Sequence, residues 1–133
     1  MTPKKQANKS PAIAAIGNQQ PFVALRGLLL PYRSELEVIH DDPGNFYANC
    51  LRPGATGKAQ FFAAVKTSGR KHLFHFMPVY DFPELLDNIS PDLRRRMQGK
   101  SCFNFDKLDP ILLEELAGII VSGTQRYRAI GKL

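Results

Sequence analysis

From residue 20 onward the chain switches between two hydrophobic periods, and each switch is marked by turn-forming residues. The spacing predicts a first helix over Gln19 to Pro31. Pro21 suits the first turn, and Phe22, Leu25, Leu29 and Tyr32 fall on one stripe. Pro31 should end or bend it, because proline has no N–H to give to the preceding turn. Leu36 to His40 and Asn45 to Leu51 then read as two strands around a turn of Asp41, Asp42, Pro43 and Gly44. After a loop over Arg52 to Lys58, Gln60 to Thr67 and Lys71 to Pro78 form the clearest hairpin, joined by Ser68, Gly69 and Arg70. In its second strand His72, Phe74 and Phe76 share one face and Lys71, Leu73, His75 and Met77 the other. The aromatic face is the expected core.

Asp81 and Glu84 have the spacing of a capping box, with Pro83 in the first turn of the helix that follows. Ser90 and Pro91 restart the helix, Arg94, Arg95 and Arg96 complement its C-terminal dipole, and Gly99 should terminate it. Ser101 to Asp106 alternates like a half-buried strand, with Phe103 and Phe105 inward. A last helix starts at Asp109 and Pro110, and its stripe is Ile111, Leu112, Leu116, Ile119, Ile120 and Gly123. The order is helix, two hairpins, helix, strand, helix. That predicts an α+β fold, with an antiparallel sheet packed against N- and C-terminal helices.

With 133 residues, 44% of them hydrophobic, one ordinary core can form. It is expected in a single domain over residues 20–133, preceded by a flexible basic tail over residues 1–19. No apolar run approaches the roughly 18–20 residues needed to span a bilayer. Ala12 to Ile16 is too short for the apolar core of a signal peptide and directly follows a basic segment. Cys50 and Cys102 lack metal-binding spacing, so reduced thiols and a cytoplasmic location are expected.

The net charge of +6 invites a nucleic-acid reading. Its placement tempers that reading. Lys4, Lys5 and Lys9 near the start and Arg126, Arg128 and Lys132 near the end have no acid among them. The stretch between holds equal numbers of acids and bases. Any nucleic-acid contact is therefore expected to be weak, non-specific and carried by the tails.

Phe61 to Tyr80 (FFAAVKTSGRKHLFHFMPVY) and Met97 to Ile120 (MQGKSCFNFDKLDPILLEELAGII), in that order after an initial helix, resemble the YdhG-like family of bacterial domains of unknown function. The resemblance covers about residues 20–127 and implies the same packing of helices on an antiparallel sheet. Some relatives in that group are described as frataxin-like iron chaperones, whose metal sites are exposed carboxylates on the first helix and neighbouring strand. Here Gln20 to Ser34 carries Arg26 and Arg33 without an acid, and the nearest carboxylates are Glu35, Glu37, Asp41 and Asp42.

Candidate chemistry is sparse. Glu37, His40, Asp41 and Asp42 offer imidazole and carboxylate ligands to a divalent metal; the competing reading is a solvated turn whose aspartates bond their own backbone. His72 and His75, three apart on a strand, point to opposite faces and cannot chelate together. Gly99, Lys100 and Ser101 spell the end of a phosphate-binding loop, but Arg94 stands where the motif needs glycine. Cys102 has only His75 as a plausible activating neighbour. No catalytic triad or dinucleotide fingerprint occurs, and no cofactor is expected. The residues point to a non-enzymatic binding or interaction domain for a small ligand or a protein, with His75, Tyr80, Arg94 and Lys100 as contacts. A metal-handling role through Glu37, His40, Asp41 and Asp42 is the alternative.

Overall fold

The computed structural model describes residues 20–54 and 56–133. The expected tail over residues 1–19, including the predicted first residue of the opening helix, lies outside them. Helix α1 (Pro21–Leu29) has its proline in the first turn and buries Phe22, Ala24, Leu25, Leu28 and Leu29. At Leu30 the chain tightens into a 3₁₀ turn, Leu30–Glu35. Pro31 has no N–H for the α-helical bond to the preceding turn, which is the bend expected of it.

Six strands follow: β1 (Leu36–Asp42), β2 (Asn45–Cys50), β3 (Phe61–Ser68), β4 (Lys71–Phe76), β5 (Met97–Gln98) and β6 (Cys102–Phe105). They form one antiparallel sheet in the order β1-β2-β3-β4-β6-β5. Strand β1 runs through Asp41 and Asp42, so these are strand residues and the turn is Pro43 and Gly44 alone. Proline fixes the first turn position and Gly44 takes φ +76°, which suits a glycine after proline in a tight turn.

Between β4 and β5 lie three short helical pieces: α2 (Met77–Asp81), a 3₁₀ turn (Pro83–Leu86) and α3 (Pro91–Arg95). Here the sequence expectation is corrected three times. Met77 and Pro78 begin α2 rather than extending β4. No capping box forms at Asp81: its carboxylate accepts a hydrogen bond from the Tyr127 hydroxyl, and Glu84 pairs with Arg126 at 2.7 Å. Gly99 does not stop a helix. At φ +78° it turns the chain from β5 into β6. The restart at Ser90 is as expected, since its hydroxyl oxygen accepts from the Leu93 N–H at 3.1 Å and caps α3.

Helix α4 (Pro110–Ala129) is capped by Asp109, which accepts from the Leu112 N–H at 2.8 Å. Leu112, Leu113, Leu116, Ile119, Ile120, Gly123, Thr124 and Tyr127 face inward. Ile111, expected on that stripe, is 77% exposed because the helix turns it away from the sheet. The core is aromatic: Phe46, Phe62, Phe74, Phe76, Phe103, Phe105 and Tyr127 are fully buried together with Leu25, Leu29, Leu93, Leu113 and Leu116. All of these strand residues lie on one face of the sheet or at its bulge. Among the described residues, no helix is long and apolar enough to cross a membrane.

Helix α4 comes close to the end of β4 at Gly123, where a Cβ would lie 2.6 Å from the Phe76 ring and 2.8 Å from Pro78. Gly123→Ala gains roughly 1 kcal/mol of helix propensity but overpacks the core at a typical cost of about 1–3 kcal/mol. A net loss is expected, read as a lower urea midpoint at unchanged m-value. Gly118→Ala, with nothing within 4 Å of its Cβ, should instead be neutral or stabilising.

Candidate functional site

Three of the four expected contacts meet in one groove. Helix α2 starts directly after β4, buries Pro78 and Val79, and leaves Tyr80 53% exposed. The 3₁₀ turn contributes Pro83 and Leu86, α3 contributes Arg94, β5 contributes Met97, and the following turn contributes Gly99 and Lys100. The groove holds about 470 Å³. Its floor is apolar, from Val79, Leu86 and Met97, and its polar groups are a phenol and two cations.

The Arg94 guanidinium donates to the Leu86 carbonyl at 2.6 Å, which ties α3 to the 3₁₀ turn and holds the cation at the rim. The Lys100 ammonium lies 6.0 Å from the centre of the Tyr80 ring. No carboxylate lines the groove. Among the described residues neither Arg94 nor Lys100 forms a salt bridge, whereas Arg26, Arg33, Lys71, Arg95, Arg126, Arg128 and Lys132 all do.

His75, the fourth expected contact, lies on the other face of the sheet. The register places Asn45, Tyr47, Phe61, Ala64, Lys66, Leu73, His75, Cys102 and Asn104 there. None of them belongs to the core packed under the described helices. Phe61 reaches this face because β3 bulges opposite Ala48 and Asn49, so that Phe62 turns into the core. His40, Tyr47, Phe61 and His75 form a row of rings across β1, β2, β3 and β4, with successive centroids 6.2, 4.9 and 4.7 Å apart. Neither Tyr47 nor Phe61 stood out in the sequence. Cross-strand register, set by two bulges, is what brings them together.

Cys102 sits directly opposite His75 in the register. Burial pushes its thiol up, away from the thiolate that nucleophilic chemistry needs. Burial, helped by the nearby Lys66 ammonium, pushes the His75 imidazolium down, so the ring is neutral at pH 7. The pair lacks the charge separation of an activated cysteine.

The four metal candidates do not converge. A bulge between Val38 and His40 resets the alternation of β1: Glu37, His40 and Asp42 pair with open-face residues, while Asp41 pairs with Phe46 on the helical side. There Arg26 of α1 donates two hydrogen bonds to the Asp41 carboxylate, both at 2.8 Å, and Arg33 lies 3.5 Å away. Among the described residues, no three His, Cys, Asp or Glu side chains group as a metal site requires. Comparison of the chain with protein-family models, with curated proteins and with solved structures finds no match.

These ion pairs set an acid dependence. The hydrogen bonds from Arg26 hold Asp41 below its ordinary value of 3.8, and those from Arg128 hold Glu35 below 4.5. The unfolded chain takes up these protons more readily than the native one. The stability from both pairs is therefore complete above about pH 5 and is lost as pH falls through the carboxylate range toward the native values. Asp41→Asn should flatten the decline in urea midpoint between about pH 5 and pH 3 and lower the midpoint at pH 7.

Proposed function

We propose that the chain is a binding domain without chemistry of its own, and that it holds a small anionic ligand with a flat apolar body between Tyr80, Arg94 and Lys100. The carrying observation is the pair of cations without carboxylate partners above an apolar floor. Elsewhere in the described residues most exposed guanidinium groups of the helices are neutralised by acids. Here two positive charges and a half-exposed phenol ring border a groove of about 470 Å³, within the common range for small-molecule sites. An aryl carboxylate or an aryl phosphate suits that lining: the ring packs on Met97 and Leu86 beside Tyr80, and the anion faces Lys100. The YdhG-like resemblance of the sequence is taken as the framework of this reading.

A titration of ¹⁵N-labelled protein with benzoate and with phenyl phosphate tests the assignment. Saturable amide shifts are expected at Val79, Tyr80, Gly99 and Lys100. Lys100→Ala should weaken binding about tenfold, the lower end of what a hydrogen bond to a charged group contributes. Shifts that scatter over the surface, or that do not saturate by about 10 mM, would remove the groove from consideration. Lys100 is the residue to change because Arg94 also holds the Leu86 carbonyl.

A further inference from the structure

We propose that the open face of the sheet, centred on Tyr47, Phe61 and Lys66, binds single-stranded nucleic acid by stacking bases on its row of rings. Three observations carry this assignment beyond the groove and independently of it. The first is the row itself. His40, Tyr47, Phe61 and His75 stand on four neighbouring strands, and the central contacts are tilted at 35° and 57° rather than face to face. Their ring faces are therefore not consumed by stacking on one another. Tyr47, Phe61 and His75 are each half-buried, so the sheet holds the rings in place while leaving them reachable. Strands lie roughly 4.8 Å apart, so the row offers room for the two or three bases that a sheet platform stacks.

The second observation is charge. Lys66 is exposed, its ammonium lies 5.7 Å from the Tyr47 ring centre, and among the described residues it has no ion pair. Its ammonium stands over the face of the Tyr47 ring, so a base stacking there would displace it toward the neighbouring phosphate. Lys71, next along the same face of β4, pairs with Asp106 at 3.6 Å between two well-exposed side chains, a contact weak enough to exchange for a phosphate. Of the acids on this face, Glu37 and Asp42 lie on edge strand β1 and Asp106, paired with Lys71, lies just past the end of β6, so none stands beside Tyr47 and Phe61 at its centre. The chain's net charge of +6 adds attraction at long range.

The third observation is the state of His75. Burial and Lys66 keep it neutral, so it completes the platform as an uncharged ring rather than as a second repelling cation beside Lys66. A duplex presents no free base faces to such a platform, which makes the single strand the occupant that fits.

Fluorescence anisotropy of 5′-fluorescein-labelled ten-nucleotide oligouridine and oligodeoxythymidine, titrated with the full chain, tests the proposal. Tyr47→Leu and Phe61→Leu keep apolar bulk and remove the aromatic face; each should weaken binding at least fivefold. Lys66→Gln should lower the slope of log K against log salt by about 0.7. Lys100→Ala should leave this binding unchanged, which separates it from the groove. The proposal is overturned by binding that the leucine variants do not alter, by equal affinity for a duplex of the same length, or by no binding up to about 100 µM protein. Photocrosslinking of a 5-iodouridine oligonucleotide to the unmodified chain is the second readout, independent of how the variants fold. Adducts on Tyr47, Phe61 or His75 support the face, and adducts confined to residues 1–19 overturn it.

Discussion

The close approach of helix α4 to strand β4, where Gly123 lies against Phe76 and Pro78, is the contact on which the remaining geometry depends. Phe76 is the last residue of β4 and is fully buried. The chain leaves the sheet here and returns to it only at β5, and α4 packs over the point of departure. The chain turns into α2, Val79 goes inward and Tyr80 outward, and the groove forms between this piece, α3 and the β5–β6 turn. One residue before Phe76, His75 faces the opposite side. A single packing contact thus sets the position of the ends of both candidate surfaces.

The C-terminal part of α4 reinforces that contact through polar groups. The Tyr127 hydroxyl donates to Asp81 at the end of α2, Lys132 lies 3.5 Å from the same carboxylate, and Arg126 reaches Glu84. Burial and the adjacent Asp81 carboxylate raise the Tyr127 phenol far above its ordinary range, so it remains a donor at any ordinary pH. At the other end of α4, Glu115 accepts from the Ser90 hydroxyl and the Ser90 N–H, at 2.7 and 2.5 Å. The short helical pieces, too brief to be stable alone, are held by a long helix that bonds to both of their ends. The C-terminal basic residues, which look in the sequence like a charged tail, are spent on acids of the fold.

Much of the architecture was legible because local and global preferences agree. Phe74 and Phe76 alternate cleanly with Leu73 and His75, and Gly69 marks the turn before them, so the β3–β4 hairpin and its buried face follow from period and turn chemistry alone. The failures occur where a distant partner decides. Asp81 has a textual capping pattern with Glu84, but Tyr127, 46 residues away, takes its carboxylate. Gly99 follows a basic helix end, yet it serves a strand of two residues, too short to show any period. In the groove, Tyr80, Arg94 and Lys100 were visible as residue types, while Val79, Leu86 and Met97 were not, since a floor drawn from three elements has no sequence spacing. The ring row was hidden by the bulges: Phe61 opens the run Phe61 to Val65, which lacks polar alternation, and only the extra residue in β3 separates Phe61 from Phe62.

The bulge in β1 has a colloidal consequence as well. A sheet with one face uncovered by the described helices is exposed to growth at its edges, where another chain can add a strand. On one side the edge strand carries Glu37, Asp41 and Asp42 and is broken in register at Ile39. On the other side, β5 offers only Met97 and Gln98. Neither border presents a long, regular ladder of free amides and carbonyls. Among the described residues, neither border of the sheet therefore gives a neighbouring copy a long edge to extend.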